Sequence, residues 1–279
     1  MADLAVSIAA ALEERLGETF PIPPGTAGLN ELHRQAAHRV HRRYTDRPVE
    51  PDLLRLLCAC ALSAPSKSDL QQGDILVVRD LAKIETIAKL IPDMPWIATA
   101  PVFLTFLANG RRIPQISAWR GKPFPNDHLD LLFNATVDAA IVLSQFIRAT
   151  EAVGLGCCPI SVIRDHAQTI ADTFGLPQKV VPVAGMCLGW PAEESGISAR
   201  LPIAVRLHEE RFNEGGLAEN IDAYDRRRAA LRPYRTQRDP ERFGQTEFYG
   251  WSEDKARQYA VPQRADFGAF VRRQGFNLE

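Results

Sequence analysis

Basic, hydroxyl and glycine residues concentrate in three short stretches of the chain. His38–Val49 is rich in arginine, the loop Ala64–Gln71 holds two serines and a lysine, and Gly154–Ser161 begins with a glycine turn. Guanidinium groups bind a phosphate through planar, bidentate hydrogen bonds. Hydroxyl groups and glycine turns suit a sugar chain and a flat polar ring. We therefore predict that a bound ring, and not a side chain, carries the chemistry of this protein.

The composition restricts the class of protein. The chain has 279 residues, 46% hydrophobic and 24% charged, which is enough for one large or two small globular domains. Because the formal net charge is −1, we expect no nucleic acid partner. The first residues lack a signal peptide pattern, and no uninterrupted apolar stretch of about 18 residues follows. We expect a cytoplasmic protein without a membrane span.

The cysteines and histidines predict no metal site. The five cysteines are odd in number and have apolar or small neighbours, which favours buried thiols over disulfides. A zinc or redox role for them is the less favoured alternative. His33, His38 and His41 lack carboxylate partners at metal-binding spacing.

Apolar periodicity and the positions of proline and glycine predict helices between strands. A helix over 32–43 would carry the arginine-rich stretch, and Asp165 would cap a helix that ends at Gly175. Residues 109–127 form a long excursion of the kind that often covers a site. The other predicted elements are helices at 4–16, 51–64 and 128–153, a helix ending at 91, and strands at 74–79, 101–107 and 180–188.

The helix predicted over 128–153 is the longest and most apolar element. Its centre, Ala135–Ile147, is apolar nearly all the way round. This pattern favours a helix that is buried on most faces and lies at the centre of the fold, with a dimer interface as one such place. Long helices between strands indicate a layered α/β or α+β domain.

Six pieces of sequence, in this order, resemble the FMN-dependent nitroreductase and flavin reductase family. The resemblance is strongest to its larger, NADPH-preferring, oxygen-insensitive branch. Each piece alone is commonplace, and the common order makes the resemblance specific. The pieces are His38–Tyr44 with Asp46 and Pro48, the loop 64–71, the turn 154–156, the stretch 183–191, Arg200-Leu201-Pro202 with His208-Glu209, and residues 273–276.

The resemblance implies an α+β fold, a three-layer α/β/α domain with a central mixed sheet and a long buried helix. It also implies a homodimer. Residues 1–30 would be an N-terminal extension that packs on a partner subunit, residues 31–205 the FMN-binding core, and residues 206–279 a C-terminal arm that completes the same domain and the dimer.

The resemblance also implies how the basic residues bind the cofactor. Arg39 and Arg200 would hold the FMN phosphate, with His38 as a further donor. Arg42 would lie near the pyrimidine edge of the flavin, where a fixed cation stabilises the reduced ring. The alternative for Arg42 is an ion pair with Asp46 or Glu50 on a helix surface. The alternative for Arg39, Arg200 and His38 is that they are solvated surface residues.

Further contacts would come from the loops. Ser66, Ser68 and Gln71 would contact the ribityl chain or the ring edge, unless they form an ordinary polar loop. Arg235, with Arg238 as a neighbour, would meet the 2′-phosphate of NADPH. The backbone of a turn would face the ring, and its residues are Ile160, Ser161 and Val162.

Three positions depart from the family pattern. Val40 stands where a serine is common, Ser161-Val162 where Gly-Gly is common, and Ser198 where a lysine is common. Lys67 is a candidate replacement for the missing lysine. These changes leave FMN as the expected cofactor and put the range of substrates in doubt.

The resemblance implies ping-pong hydride transfer from NADPH, or NADH, through FMN to a nitroaromatic, quinone or flavin acceptor. Trp96, Trp119 and Phe124 are candidates for the acceptor pocket. Three alternatives remain open: reductive dehalogenation or flavin fragmentation on the same scaffold, a non-catalytic flavin-binding protein, and an unrelated α/β interaction domain that matches by accident.

Overall fold

The computed structural model describes residues 2–279, and the chain divides into two compact units. One unit contains the residues up to Arg39 together with Gly196–Gln263. The other contains Val40–Ser195 and Arg264–Glu279. We call them the helical unit and the sheet unit.

A four-stranded antiparallel sheet forms the centre of the sheet unit. Its strands are β1 (Gly73–Val78), β2 (Val102–Asn109), β3 (Gly156–Ile160) and β4 (Val180–Gly189), in the order β1-β2-β4-β3. All three pairings are antiparallel, so the α+β class is confirmed but the sheet of the described chain is not mixed. The mixed sheet was implied by the family resemblance. Helices between strands do not by themselves determine whether neighbouring strands are parallel or antiparallel.

Helices cover both faces of this sheet. On one face, α3 (Pro51–Leu62) and α6 (Leu129–Ala152) pack against Leu104 and Phe106. On the other, α4 (Leu81–Leu90) packs against Phe103. Successive strand residues point to opposite faces, so the apolar run of β2 serves both layers. The predicted three-layer arrangement is present.

Helix α6 is less buried than its composition suggested. Leu129, Phe133 and Val137, spaced four residues apart, form an apolar stripe that is exposed in the single chain, with Phe133 63% exposed. Burial on most faces is therefore incomplete within the single chain, because apolar composition does not say which surface will cover a helix. Within residues 2–279, α6 alone is long and apolar enough to cross a membrane, and it packs on β1, β2 and α3.

The arginine-rich stretch is not helical. Helix α2 (Leu29–Ala36) ends before it, so the predicted helix over 32–43 is wrong beyond Ala36. The backbone groups of the stretch instead bind the ends of β3 and β4, which satisfies them without a helix. The bonds are His41 N to Cys157 O at 3.0 Å, Thr45 N to Trp190 O at 2.9 Å and Ala192 N to Arg43 O at 3.0 Å.

Three short helices complete the sheet unit: α5 (Arg112–Trp119), α7 (Ala167–Phe174) and α11 (Phe267–Arg273). Helix α5 lies inside the excursion 109–127 and was not predicted. Gly175 closes α7 with φ of 62°, as predicted. Asp165 does not cap α7. It lies in the 3₁₀ turn Val162–His166 and pairs with Arg264.

The helical unit contains α1 (Ala2–Leu16), α2, α8 (Leu217–Leu231), α9 (Pro240–Phe243) and α10 (Trp251–Tyr259). Helix α1 packs on α2 of its own chain through Ile8, Ala11 and Ala36. The carboxylate of Asp225 in α8 accepts hydrogen bonds from Ser252 N at 3.0 and 3.3 Å and so ties the start of α10 to α8.

Candidate ligand-binding site

A buried carboxylate organises the polar loop after α3. Asp138 in α6 is 1% exposed and accepts hydrogen bonds from Ser66 Oγ at 2.9 Å, Lys67 N at 3.0 Å and Gln72 N at 2.9 Å. Ser66 Oγ also accepts a bond from Gln71 N at 2.7 Å. The Ser66 hydroxyl therefore fixes the loop from inside.

The same loop has an unusual backbone. Ser68, Asp69 and Gln71 have positive φ values of 49°, 58° and 51°. Each such conformation costs about 1–3 kcal/mol in a residue other than glycine, and strain of this kind concentrates at functional sites. Arg112 braces the loop from outside, because it donates to Gln71 O and forms an ion pair with Asp74 at 2.6 Å. A cavity of about 220 Å³ lies beside these residues.

Asp138 was not among the predicted site residues. It lies within Ala135–Ile147, a stretch that was described as apolar nearly all the way round. A carboxylate in a buried helix must be paired or hydrogen-bonded, so an acid at that position predicts a polar partner. That signal could have identified Asp138, although not the loop that it binds.

Arg42 of the sheet unit lies beside an aromatic ring. Its guanidinium carbon is 5.3 Å from the centre of the Trp96 ring. Arg42 also acts on the Cys158 thiol: burial raises the pKa of Cys158, and the charge of Arg42 opposes the rise. Among residues 2–279 Arg42 forms no ion pair, so the alternative in which Asp46 or Glu50 neutralises it is not observed.

Tyr44 anchors the arginine-rich stretch. Its hydroxyl donates to His41 O at 2.6 Å and approaches Cys187 O at 3.3 Å. Burial, followed by the neighbouring thiols, raises the pKa of Tyr44, so the hydroxyl stays a neutral donor. The backbone on both sides of Arg42 is therefore held by β3 and β4 and not by a helix.

Two departures from the family pattern fill the core. Val40 and Val162 both pack against the apolar cluster between the sheet and α4. Ile160 belongs to the same cluster and is 2% exposed, whereas Ser161 is exposed. The Ile160 side chain is thus not available to a ligand.

Five of the predicted site residues belong to the helical unit, and Arg15 bonds three of them. Arg15 is buried and donates to the carbonyl oxygens of Ala36 at 3.0 Å, Ser198 at 3.2 Å and His38. Its own carbonyl accepts from Arg200 N at 2.6 Å. Arg39 directly follows His38. The sequence analysis missed Arg15, because a basic residue near the end of an amphipathic helix looks like a solvated one.

The tail arginines occupy different environments. Arg235 is exposed, while Arg238 lines a cavity of about 560 Å³ within the helical unit. The three aromatic candidates for an acceptor pocket are not brought together: Trp96 packs near α4, Phe124 packs against the C-terminal cluster of Phe270 and Phe276, and Trp119 is 75% exposed.

The cysteines are free thiols. Cys157, Cys158 and Cys187 are buried, and burial raises the pKa of each. Within residues 2–279 no group of three histidine, cysteine, aspartate or glutamate side chains could hold a metal ion.

Comparison with known proteins identifies the family. The model of the nitroreductase family matches residues 36–190, and that of the nitroreductase family C-terminal domain matches residues 198–279. The chain belongs to the nitroreductase family. The resemblance inferred from the six motifs is confirmed, and an accidental match of an unrelated interaction domain is excluded.

Individual relatives cover most of the chain. It is 32% identical over 255 residues to the Bacillus subtilis FMN reductase, NAD(P)H, which is 90% of this chain and 100% of that protein. It is 33% identical over 178 residues to the oxygen-insensitive NADPH nitroreductase of Salmonella typhimurium, 63% of this chain and 71% of that protein. The structure of NfrA2 from Bacillus megaterium superposes with a TM-score of 0.80 at 30% identity, covering 89% of this chain and 98% of that one.

Proposed function

We propose that this protein is an FMN-dependent NAD(P)H oxidoreductase that works by a ping-pong mechanism on nitroaromatic, quinone or flavin acceptors. The observation that carries the proposal is the 32% identity, over nine tenths of the chain, to a protein named FMN reductase. When bound, FMN supplies the chemistry by taking a hydride from NADPH and returning two electrons to the acceptor.

Arg42 stabilises the negative charge that develops on the pyrimidine edge of the ring. Two observations support this role. Its guanidinium has no carboxylate partner among the described residues, so its charge is not already neutralised. The Trp96 ring and the bonded backbone around Tyr44 restrict its position, and a cation held in place needs little reorganisation when the charge forms.

Arg39, Arg200 and His38 bind the phosphate of FMN. The donor set fits, because guanidinium groups are the usual bidentate partners of a phosphate dianion. Within residues 2–279, the Arg200 guanidinium donates only to the carbonyl oxygens of Ala199 at 3.2 Å and Ser198 at 3.5 Å and forms no ion pair. Ser198 supplies no cation, so the phosphate depends more heavily on the two arginines.

The strained loop contacts the ribityl chain and the ring edge through Ser68 and Gln71, with Ser66 holding the loop in place. Val40 and the turn 160–162 bound the ring with apolar and backbone atoms. NADPH, or NADH, is the reductant, and Arg235 meets the 2′-phosphate of NADPH from the exposed tail.

The protein acts as a cytoplasmic homodimer in which residues 31–205 bind FMN and residues 206–279 complete the domain and the dimer. The exposed stripe of Leu129, Phe133 and Val137 on α6, with Leu56 and Leu62 of α3 also exposed, supports a partner surface on the sheet unit. An apolar surface of this kind marks an interaction site in a protein with no other reason to expose it.

Anaerobic titration with NADPH and NADH tests the proposal. We expect NADPH to bleach the visible absorption of the bound flavin, and we expect a panel of nitroaromatics, quinones and free flavins to restore it. If the flavin absorption persists with both nucleotides, the protein binds flavin but has no reductase activity, and the proposal is wrong.

A further inference from the structure

Helix α1 lies outside the residues that the two family models match, since the first match begins at residue 36. It contacts two segments that carry predicted phosphate ligands. One is 36–39, which ends with Arg39, and the other is 197–200, which ends with Arg200. We call them the Arg39 segment and the Arg200 segment. Both belong to the helical unit, as does α1.

The Arg15 side chain joins the two segments. It is 9% exposed, and its three nitrogen atoms each donate to a different carbonyl oxygen. The acceptors are Ala36 at 3.0 Å and His38 in the Arg39 segment, and Ser198 at 3.2 Å in the Arg200 segment. A guanidinium group is planar and its donors point in fixed directions, so it satisfies three carbonyl groups only when they are correctly spaced. Arg15 therefore determines the separation of the two segments.

The backbone of Arg15 binds the Arg200 segment a second time. Its carbonyl oxygen accepts from Arg200 N at 2.6 Å and from the Arg227 guanidinium at 3.2 Å. Arg227 of α8 also donates to Arg200 O at 2.6 Å and to Glu14 O at 3.0 Å. Both backbone polar groups of Arg200 are thus bonded, one to α1 and the other to a side chain that α1 also binds. The Arg200 guanidinium therefore extends from a fixed backbone.

Apolar packing holds α1 against the same two segments. Ile8 is 2% exposed and clusters with Ala36 of the Arg39 segment and with Ile197 of the Arg200 segment. Just beyond the end of the helix, the Glu18 carboxylate accepts a hydrogen bond from Ile203 N at 3.0 Å. Burial of the apolar face of α1 therefore stabilises the position of Arg15.

A fixed separation matters when two arginines share one ligand. A phosphate dianion is bound most strongly when a guanidinium donates two parallel hydrogen bonds to it, and a shift of either backbone disturbs this geometry. Binding groups that are already in place also lose less conformational entropy when the ligand binds. Because Ser198 contributes no charge, the alignment of Arg39 and Arg200 determines more of the affinity for the phosphate.

We propose that Arg15 is a positioning residue of the phosphate site. It holds the Arg39 segment and the Arg200 segment at the separation at which their two guanidinium groups bind one phosphate. Arg15 acts through these segments and is not itself a phosphate ligand. The inference rests on the proposed function, because it presupposes that Arg39 and Arg200 bind FMN. It gives α1, which neither family model includes, a role in cofactor affinity.

Comparison of FMN with riboflavin tests the proposal, because riboflavin has the same ring and ribityl chain without the phosphate. Flavin fluorescence, measured with the full-length protein, gives the two dissociation constants, and the wild type should bind FMN more tightly than riboflavin. Arg15→Gln should weaken FMN binding by about tenfold, the effect of one lost hydrogen bond to a charged group. The same variant should keep its riboflavin affinity within about twofold of the wild type. A general loss of structure would instead weaken the binding of both flavins.

Three further variants complete the experiment. Arg15→Lys keeps the charge, but one ammonium group cannot replace the guanidinium fork, so this variant should recover only part of the preference for FMN. Arg227→Gln removes the bond to Arg200 O and should weaken FMN binding by a smaller factor than Arg15→Gln, again without affecting riboflavin. Arg226→Gln is the matched control, since Arg226 is the exposed neighbour of Arg227 on α8, and it should keep the wild-type ratio of the two constants.

The ratio of the two dissociation constants decides the outcome. If Arg15→Gln keeps the wild-type ratio, or loses affinity for both flavins equally, the proposal is wrong. It is also wrong if the control changes the ratio as strongly as Arg15→Gln does, or if the wild type binds both flavins equally. If Arg15→Gln does not fold, Arg227→Gln decides by the same criteria. Wild-type protein that binds neither flavin contradicts the proposed function itself, and the inference with it.

Discussion

Replacement of Asp138 by asparagine tests whether a single carboxylate holds the strained loop. In the wild type its two oxygens accept from Ser66 Oγ, Lys67 N and Gln72 N. Asparagine keeps one acceptor oxygen but turns an NH₂ group toward donors that the carboxylate satisfied. The change is nearly isosteric, so packing around α6 is preserved.

The expected magnitude follows from the number of bonds. Lys67 N and Gln72 N bind different oxygens of Asp138, so with Asp138→Asn at least one of these two backbone donors loses its acceptor. An unsatisfied buried donor costs about 1–3 kcal/mol. Asp138→Ala removes both acceptor oxygens and all three hydrogen bonds, and should cost about 4 kcal/mol, near the upper end for single substitutions. The positive-φ residues Ser68 and Gln71 would then relax, because nothing of similar strength opposes their backbone strain.

Urea unfolding at one protein and FMN concentration measures the free-energy loss. Trypsin cleavage after the exposed Lys67 should accelerate in both variants. Asp130→Asn is the control. Among the described residues, the exposed Asp130 carboxylate accepts only from Asn134, at 2.7 Å, and its replacement should change stability by less than about 0.5 kcal/mol. If Asp138→Asn unfolds and is cleaved like the control, the carboxylate does not hold the loop.

Three further predictions concern the ring environment, the partner surface and acid stability. Arg42→Ala should lower the midpoint potential of bound FMN by at least about 30 mV, equivalent to about 1.4 kcal/mol for a two-electron couple. The control Arg43→Ala removes a surface ion pair with Glu193 and should leave the midpoint potential unchanged. Phe133→Glu should convert the dimer to monomer in light-scattering chromatography, whereas Phe212→Glu, an exposed phenylalanine of the helical unit, should leave it dimeric. Because the pKa of Asp254 is lowered despite its burial, its stabilising effect is complete above its ordinary pKa and lost as the pH falls through the lowered value. The stability difference between wild type and Asp254→Asn should therefore be constant near neutral pH and shrink below about pH 4; a difference that grows on acidification contradicts this reasoning.

The sequence was informative where one residue type has one strong structural preference. Pro51 begins α3, Gly175 ends α7, and the apolar runs of β2 and β4 lie where they were predicted. The motif order was enough to identify the family. These features depend on local backbone geometry and burial, which neighbouring residues determine.

The failures share a different cause. Residues after Ala36 have helical composition, yet their backbone groups bond the ends of β3 and β4, which are distant in sequence. Asp138 and Arg15 were overlooked because their partners lie in loops that no local pattern connects to them. The exposed stripe around Phe133 shows that apolar composition predicts burial but does not identify the covering surface.

The most direct measurement of the central claim is identification of the ligand released when the purified protein is denatured. We predict one non-covalent flavin for each chain, with the chromatographic mobility and mass of FMN, and rebinding of FMN by the refolded protein. Protein that is colourless as isolated and binds no added FMN would contradict the account.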